Sequence, residues 1–393
     1  MKKLVKNNVY WVGYTDWELK KFHGDEYSTH SGSTYNSYLI QEEKTVLIDT
    51  VWSPFAKEFV DNLKSEIDLN SIDFIVANHG EVDHSGALTE LMKHIPNTPI
   101  YCSQNALKSL KGQFHGDWDL RVLKTGDTLD LGNGKQLVFV EMRMLHWPDS
   151  MACYMTGDKI LFSNDAFGQH YAVDSLFNDQ ADQCVLYQEA EKYYANILTP
   201  FSAILKKKLE EIIALNLDID IIAPSHGVIW RDNPLQIVEQ YAKWCDDYQE
   251  NQISIIYDTM WNGTKRMADK IAEGIRAKDP DVTIKVFNLP KKDINDVTTE
   301  IFKSKMIVLG SPTINNGILF SIAGLAHYIK GLKFKNKKAA AFGAYGWSGE
   351  GVKILNGMLE DAGFELVNEG LRALWNPDAQ REEEAFEFGK SLV

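Results

Sequence analysis

The chain has 393 residues, and its 55 acidic and 41 basic side chains give it a formal net charge of −14. A chain of this length exceeds one ordinary hydrophobic core, so we expect two domains. The negative charge argues against nucleic acid or an anionic membrane surface as a partner. The sequence contains no stretch of about eighteen apolar residues, so it predicts no membrane span.

The cysteines predict a reduced, cytoplasmic protein. They stand singly, without a C-x-x-C pair, at Cys102, Cys153, Cys184 and Cys245. This spacing excludes a zinc ribbon and a rubredoxin-type iron site. Scattered thiols in a chain of this size are typical of the cytoplasm. No apolar segment follows Met1-Lys2-Lys3, so we expect no signal peptide.

The first 249 residues mix strand and helix patterns irregularly. An amphipathic helix is predicted over Ala203–Leu215, with Leu205, Leu209, Ile212 and Ile213 on its buried face. Short runs rich in Val, Ile, Leu and Phe predict buried strands at 44–49, 73–77, 135–141 and 159–163.

A different rhythm begins after the polar segment 246–252. A helix is predicted from Thr264, and strands are predicted at 253–257, 283–289, 305–310, 338–343 and 364–371. Five strands that alternate with helices predict a parallel, doubly wound sheet. We therefore expect one domain over residues 1–249 and a second over residues 250–393.

The densest group of chemically active residues is Asn78-His79-Gly80-Glu81-Val82-Asp83-His84, directly after an apolar run. A strand followed by a turn can direct His79, Glu81 and Asp83 at one point, and His84 then lies in the opening turn of the next helix. Ionisable groups packed this closely repel or desolvate one another unless a cation lies between them. The cluster therefore predicts a metal site.

Three further ligand types follow predicted buried strands, namely His146, Asp165 and His226. Sheet folds collect their sites at strand ends, so these residues can meet in space. Taken singly, a histidine in this position is more often structural, and Asp165 alone would be read as a turn or cap residue. The remaining histidines have no such neighbours and are expected to be structural or solvated: His23, His30, His94, His115, His170 and His327.

These residues resemble the metallo-β-lactamase superfamily, and the resemblance covers nearly all of the first 245 residues. The usual cluster of that superfamily is H-x-H-x-D-H, and here Glu81 replaces the second histidine. Imidazole-rich sites favour zinc, whereas mixed sites rich in carboxylates suit redox iron. The replacement is typical of the flavodiiron subgroup of the superfamily. This resemblance implies an αβ/βα sandwich that contains two iron ions.

The same resemblance implies a role for each ligand. His79, Glu81 and His146 would bind one iron, Asp83, His84 and His226 the other, and Asp165 would bridge them. His84 is the least firmly assigned, since the family tolerates its movement away from the metal. Trp147, Phe167 and Tyr194 lie in stretches that look like the same subgroup. They are expected either to exclude water around the site or to be ordinary core residues.

Three loops at predicted strand ends suggest a flavin site in the second domain. Hydroxyls and backbone N–H groups between a first strand and a first helix form an anion cradle, although Thr264 could be only an N-cap and Gly263 only a turn residue. Trp347 and Tyr345 suit a flat ring lying between the loops. The candidate binding residues are Thr259, Met260, Trp261, Asn262, Gly263, Thr264, Ser311, Pro312, Thr313, Asn315, Asn316, Gly317, Ala344, Tyr345, Gly346, Trp347, Ser348 and Gly349.

Residues 252–393 resemble a flavodoxin domain, and the strings T-M-W and S-P-T-x-N-N-G are close to its flavodiiron version. Asn262-Gly263 stand where a His-Ser pair is more familiar, and Phe320 stands where proline is common. Neither change removes a phosphate-binding group, so FMN is the expected cofactor. A nicotinamide cofactor is disfavoured, because no G-x-G-x-x-G follows the first strand.

The resemblance implies a flavodiiron oxidoreductase that reduces O₂ to water, NO to N₂O, or both. It further implies a head-to-tail homodimer or a dimer of dimers, and an external donor such as rubredoxin, because the sequence shows no rubredoxin extension. Two alternatives remain at this point. One is a zinc hydrolase of the metallo-β-lactamase kind with an accessory flavodoxin-like domain. The other is an electron carrier with a structural metal.

Overall fold

The computed structural model describes residues 2–215 and 217–393, which form two compact units. The first unit comprises Met1–Tyr193 and Phe201–Lys243, and the second comprises Tyr194–Pro200 and Trp244–Val393. The expected boundary between residues 249 and 250 falls shortly after Lys243, and the short segment 194–200 belongs to the second unit. In the described part of the chain, none of the helices has the length and apolar character that a membrane-spanning helix requires.

The first unit contains sixteen strands and seven α-helices among its described residues. The strands are β1 (Lys3–Lys6), β2 (Val9–Trp11), β3 (Tyr14–Asp16), β4 (Lys21–Phe22), β5 (Tyr27–Ser28), β6 (Ser33–Tyr35), β7 (Tyr38–Gln41), β8 (Thr45–Ile48), β9 (Ile72–Ala77), β10 (Ile100–Ser103), β11 (Leu120–Leu123), β12 (Thr128–Gly132), β13 (Lys135–Glu141), β14 (Met151–Met155), β15 (Ile160–Asn164) and β16 (Ile221–Pro224). The helices are α1 (Ala56–Glu66), α2 (Val82–Ser85), α3 (Leu88–Leu91), α4 (Gln104–Phe114), α5 (Gln183–Tyr193), α6 (Ser202–Ala214) and α7 (Leu235–Trp244).

Two sheets form the frame of this unit. One has the strand order β1-β2-β7-β8-β9-β10-β11, and the other has the order β12-β13-β14-β15-β16. A single apolar cluster includes Ile48 and Val76 from the first sheet and Phe139 and Phe162 from the second. The two sheets therefore pack face to face, and the expected sandwich is confirmed. Two small pairs, β3 with β6 and β4 with β5, lie outside these sheets.

The predicted strands of the first unit are present, with ends that move by a few residues. The predicted helix 203–215 corresponds to α6, and Leu205 and Leu209 are buried on it. The expected burial of Ile213 is wrong, since its side chain is 60% exposed. The amphipathic pattern weakens over the last turn of α6, and that turn therefore buries little apolar surface.

The second unit is a parallel sheet of six strands with helices between them, and its last two strands, both short, pair with the same neighbour. Its strands are β17 (Glu250–Tyr257), β18 (Thr283–Asn288), β19 (Ser304–Gly310), β20 (Lys338–Tyr345), β21 (Glu365–Leu366) and β22 (Leu371–Leu374). Its helices are α8 (Gly263–Lys278), α9 (Ile294–Lys303), α10 (Phe320–Leu332), α11 (Gly351–Asp361) and α12 (Ala379–Ser391). The order is β18-β17-β19-β20-β21, with β22 also paired to β20 and every pair parallel.

This order confirms the predicted doubly wound sheet. It reverses between β17 and β19, and ligands of such sheets bind beyond the carboxyl ends of the strands at that point. The predicted fifth strand at 364–371 is wrong in detail, because it consists of the two short strands β21 and β22. Gly370 separates them with a φ of +87°, and a Cβ there would lie 2.6 Å from the Ala341 carbonyl oxygen.

Candidate metal centre and flavin site

The structure brings the seven predicted metal ligands together in two groups within the first unit. The first group contains His79, Glu81, His146 and Asp165, and the second contains Asp83, His84 and His226. Within each group the candidate ligand atoms lie within 4.8 Å of one another. Six of the seven are nine-tenths or more buried, and the Glu81 side chain is 12% exposed.

The Asp165 carboxylate lies between the two groups. Its Oδ2 atom is 3.4 Å from His79 Nε2 and 3.3 Å from His146 Nε2. Its Oδ1 atom is 3.0 Å from His84 Nε2 and 3.7 Å from His226 Nε2. One carboxylate therefore presents an oxygen to each group, as a bridging ligand must. The assignment of individual ligands remains a prediction.

The loop after β9 is shaped by contacts with other parts of the unit. The buried Asp49 carboxylate accepts hydrogen bonds from the Asn78 backbone N–H at 2.7 Å and from its side-chain amide at 3.3 Å. Gly80 is required here because a Cβ would lie 2.7 Å from Asp149 Oδ2. Helix α2 then begins at Val82, which places Asp83 and His84 on its first turns.

The other ligands come from loops at the same end of the second sheet. Asp165 directly follows β15, and His226 follows β16 by one intervening residue. Asn36 positions the His226 loop, since its amide donates to the carbonyl oxygens of Pro224 at 2.8 Å and Gly227 at 3.0 Å. The expectation that His146 lies just past a strand is wrong, because it lies within the loop 142–150 between β13 and β14.

Two of the histidines contact an acceptor through Nδ1. The Nδ1 atom of His79 lies 3.0 Å from Asp149 Oδ1, and the Nδ1–H of His226 donates to the Thr34 carbonyl oxygen at 2.6 Å. Each contact leaves the Nε2 atom facing the centre of the site, which is the arrangement that metal-binding histidines adopt. The Nδ1 atom of His84 is buried and has no hydrogen-bond partner among residues 2–215 and 217–393.

The donor set fits a pair of metal ions. The Nε2 atoms of His79 and His84 and both oxygens of Asp83 and Asp165 are buried without a hydrogen bond to any described residue. Buried polar atoms of this kind carry a desolvation cost unless another group satisfies them. Nitrogen and carboxylate oxygen ligands in two adjoining groups match the preferences of redox iron, and no thiolate lies in either group.

Two histidines that the sequence left as structural or solvated lie beside the ligands. His23 Nε2 is 2.9 Å from Glu81 Oε1. The His170 ring is fully buried, with its centroid 4.7 Å from that of His226, and its Nδ1 is 2.7 Å from Ser33 Oγ. Asp149 was also missed as a site residue. The sequence offered one signal for it, since Asp149 lies three residues after His146 in a stretch that resembles the flavodiiron subgroup.

The aromatic residues divide between the two expected outcomes. Trp147 lies with its ring centroid 5.2 Å from that of His79. Phe167 packs on Tyr241 at 4.8 Å. Tyr194 belongs to the second unit, where it is buried and packs on Trp244 and Phe302 at 5.3 and 5.5 Å, so it is an ordinary core residue, the second of the two expected outcomes.

The preceding residue, Tyr193, is the one that lies beside the site. It lies at the end of α5 with its ring 5.2 Å from that of His170 and 6.3 Å from that of His226. The chain continues from α5 as a π-helical turn over Tyr194–Leu198. Adjacent residues of a helix point in different directions, and a string of aromatic residues in the sequence does not show which of them faces the site.

The charges of the site change the pKa values of the surrounding groups. Burial alone would lower the pKa of His23, but the hydrogen bond and the charge of Glu81 outweigh burial and raise it. Burial would raise the pKa of Asp149, but the hydrogen bond from His79 lowers it. Burial raises the pKa of Asp49 to about 6. Burial and the neighbouring His226 lower the pKa of His170 well below its usual range, so His170 is neutral.

The second unit has a cavity of about 530 Å³ at the carboxyl ends of β17, β19 and β20. It lies beside the point where the strand order reverses, and its volume suits a cofactor. It is lined by fourteen of the eighteen predicted residues: Thr259, Met260, Trp261, Gly263, Thr264, Pro312, Thr313, Asn315, Asn316, Ala344, Tyr345, Gly346, Trp347 and Ser348.

Four of the predicted residues do not line this cavity. The Ser311 hydroxyl is used within its own loop, where it accepts from the Leu319 N–H at 3.0 Å and donates to the Pro312 carbonyl at 3.0 Å. Gly317 closes a turn with Ile314 through two backbone hydrogen bonds. Asn262 provides a left-handed turn residue with a φ of +66°, and Gly349 packs on the Tyr345 ring.

Three lining residues were missed, and two of them come from a fourth loop. Trp375 and Asn376 follow β22, and Ile314 lies in the loop after β19. The Trp375 backbone N–H donates to the Tyr345 carbonyl at 2.7 Å, which places its ring 6.2 Å from that of Trp347. The loop lacks the small residues of a phosphate cradle, so it could not be recognised from its sequence.

The first loop of the cavity fits a phosphate group. Thr259 Oγ1 and Thr264 Oγ1 are buried and have no hydrogen-bond partner in the described chain. Both residues line the cavity, and Thr264 is the second residue of α8. Helix N-termini favour anions, because their backbone N–H groups are unpaired and the helix dipole is positive there. Two orphaned hydroxyls at such a terminus provide hydrogen-bond donors for the phosphate of FMN.

The two sites define a protein with a carboxylate–imidazole metal centre and a flavodoxin domain. Residues 34–227 match the family described as ODP family beta lactamase, and residues 255–389 match flavodoxin. The chain belongs to the flavodiiron family. It is 57% identical over 394 residues to an anaerobic nitric oxide reductase flavorubredoxin from Salmonella paratyphi B, covering 100% of this chain and 82% of that protein.

Two solved structures show the same architecture. Rubredoxin oxygen:oxidoreductase from Desulfovibrio gigas is 36% identical with a TM-score of 0.96, covering 100% of this chain and 97% of that one. The flavodiiron protein from Giardia intestinalis is 33% identical with a TM-score of 0.94, covering 100% of this chain and 96% of that one. The chain is therefore an oxidoreductase with a di-iron centre and FMN.

Proposed function

We propose that this chain reduces nitric oxide to nitrous oxide at its di-iron site and also reduces dioxygen to water. The observation that carries the choice of nitric oxide is the 57% identity, over the whole of this chain, to proteins named anaerobic nitric oxide reductase flavorubredoxin. Dioxygen is the second substrate because the chain is 36% identical to a rubredoxin oxygen:oxidoreductase over its full length. Both reactions need the same centre and the same electrons.

The proposed metal ligands are those of the two groups. His79, Glu81 and His146 bind one iron, Asp83, His84 and His226 bind the other, and Asp165 bridges them. When bound, the irons supply the redox-active centre, and FMN accepts electrons in pairs and releases them singly. Asp149 lies against His79 Nδ1 and the Thr34 carbonyl accepts from His226 Nδ1–H, which leaves the Nε2 atoms of both histidines available.

Aromatic side chains line the metal site. Trp147 packs against His79, Tyr193 packs against His170, and Phe22 lies with its ring 5.8 Å from that of His226. A site lined in this way suits a small uncharged gas as substrate and limits side reactions of the reduced centre. It does not suit a large polar substrate, which is one reason why the zinc hydrolase alternative is not favoured.

We place the di-iron domain at residues 1–249 and the FMN domain at residues 250–393. The active form is a head-to-tail homodimer or a dimer of such dimers in the cytoplasm, and its donor is a small rubredoxin-type protein. Exposed aromatic side chains at the cavity end of the second sheet support an interface there. Trp261, Phe320 and Trp347 are 84%, 87% and 87% exposed, and such clusters of apolar surface mark interaction sites.

The proposal is tested by anaerobic gas consumption. Protein loaded with iron and FMN, and reduced through rubredoxin, should consume NO and release one N₂O for each two NO. The same protein should consume O₂ without releasing peroxide. An Asp165→Asn variant that retains FMN is the matched control, and it should lose both activities. Consumption of both gases no faster than by free FMN would contradict the proposal.

A further inference from the structure

The two oxygens of the Glu81 carboxylate have different surroundings. Oε2 faces the metal pocket, where it lies 3.2 Å from His79 Nε2 and 3.5 Å from His146 Nε2. Oε1 faces away from the pocket, toward His23 Nε2 at 2.9 Å. The carboxylate therefore presents one oxygen to the candidate metal ligands and the other to a residue outside both groups.

His23 is fixed in this position by its backbone and its neighbours. It lies in the tight turn between β4 and β5 with a φ of +55°, and Gly24 follows with a φ of +69°. A non-glycine residue with positive φ persists only where the surrounding structure requires it. The His23 ring contacts the Phe22 ring at a centroid distance of 4.3 Å, and its side chain is 34% exposed.

A glutamate without such a partner can turn. Its side chain has three rotatable bonds, and both of its oxygens can bind the same ion. A hydrogen bond to an ionised carboxylate is stronger than one between neutral groups, so the His23 N–H competes effectively for one oxygen. The second oxygen alone remains available for the metal. That arrangement leaves one coordination position of the ion unused by the protein.

We propose that His23 is a positioning residue for the metal centre, which donates its Nε2–H to Glu81 Oε1 and so restricts Glu81 to binding through Oε2. This inference rests on the proposed function, because it concerns the metal of the first group. The position that Glu81 leaves open is available to a diatomic gas. Loss of His23 lets the second oxygen of Glu81 occupy it.

The test uses Co²⁺ in place of iron, without any gas. The visible absorption of Co²⁺ weakens as its coordination number rises, so it reports whether Glu81 contributes one oxygen or two. The variants are His23→Ala, His23→Gln, which keeps an N–H donor at a similar reach, and His94→Ala, which removes an imidazole from the surface of the same unit. Cobalt content is measured on each sample, and circular dichroism checks the fold.

We expect His23→Ala to absorb more weakly per bound cobalt than the parent protein, or to bind cobalt roughly 10- to 100-fold less tightly, as changes around metal ligands commonly do. His23→Gln should restore the parent spectrum, and His94→Ala should not change it. A His23→Ala spectrum and affinity equal to those of the parent would overturn the proposal. So would an equal loss in His23→Ala and His23→Gln, because the N–H donor would then not be the cause.

The outcome is independent of the reductase activity. A chain that binds cobalt as expected but consumes no gas would contradict the proposed function and leave the role of His23 standing. A chain that consumes NO, but whose cobalt spectrum and affinity do not change on loss of His23, would contradict the role of His23 and leave the proposed function standing.

Discussion

Asp149 provides the sharpest test of how the metal site is built. Its side chain is fully buried, its Oδ1 lies 3.0 Å from His79 Nδ1, and its Oδ2 accepts from the Gly80 N–H at 3.1 Å. In Asp149→Asn the amide oxygen can accept from only one of these donors, and the amide NH₂ then faces the other N–H. The substitution preserves shape while removing one hydrogen bond and a charge.

The magnitude follows from these contacts. A buried donor that loses its partner costs about 1–3 kcal/mol, which corresponds to roughly 5- to 150-fold in a dissociation constant. Asp149→Asn should weaken metal binding through His79 by roughly 10- to 100-fold. Asp149→Ala should be worse, because both the His79 and Gly80 N–H groups lose their acceptor. Asp149 therefore matters for metal affinity although it binds no metal.

The assay is competition between the protein and a chelator for Fe²⁺ under anaerobic conditions. Asp158→Asn is the matched control, since Asp158 is a buried carboxylate of the same unit that pairs with Lys135 at 2.8 Å and does not contact a candidate ligand. It should lower stability without changing metal affinity. Residues that support a metal ligand are expected to change metal affinity by at least about tenfold. The reasoning would be refuted if the metal affinity of Asp149→Asn stayed within about twofold of that of the parent.

Three further substitutions test other parts of the structure. Thr264→Val removes an orphaned hydroxyl, so it should weaken FMN binding by about 1.5–3 kcal/mol while raising the unfolding midpoint of the flavin-free protein. Quenching of FMN fluorescence measures the former, and an unchanged affinity would contradict the cradle. Gly227→Ala should destabilise the protein by at least about 2 kcal/mol in urea unfolding, because its Cβ would lie 1.6 Å from Gln169 Oε1 at a φ of +74°. A variant as stable as the parent would show that this loop can move. Burial lowers the pKa of Lys337 from 10.5 to about 7. Between these two pH values the unfolded chain binds a proton at Lys337 that the folded chain lacks. The free energy of unfolding should therefore rise with pH by about 1.4 kcal/mol per pH unit in this range. Lys337→Met should remove this slope in urea unfolding at about pH 7.5 and 9.5, and equal slopes in the two proteins would contradict the burial argument.

The metal ligands were predictable because they are concentrated in the sequence. His79, Glu81, Asp83 and His84 lie within six residues. Burying such a group without a cation carries a large desolvation cost. Asp165 and His226 lie just past the ends of buried strands, which the apolar runs reveal, whereas His146 lies within a loop. The parallel, doubly wound class of the second unit was predictable for a similar reason, since regular alternation of strands and helices permits few topologies.

The residues that support the ligands were not predictable. Asp149, His23 and the Thr34 carbonyl come from three separate loops and strands, and only Asp149 lies close in the sequence to a ligand, His146, which is not the one it contacts. A backbone carbonyl has no sequence signature at all. His23 is far in the sequence from the cluster of ligand-type residues, yet the β4–β5 turn brings it within 2.9 Å of Glu81.

The supports are unevenly distributed between the two groups, and this asymmetry explains why His84 is the least firmly assigned ligand. In the first group, His79 is fixed by Asp149 and Glu81 contacts His23. In the second group, His226 is fixed by the Thr34 carbonyl, whereas His84 Nδ1 has no hydrogen-bond partner among the described residues. Thr50 does bind the backbone carbonyl of His84, at 2.7 Å through its N–H and at 2.8 Å through its hydroxyl. The backbone at His84 is therefore restrained by two hydrogen bonds, whereas rotation of its buried ring would break no ring hydrogen bond to a described residue.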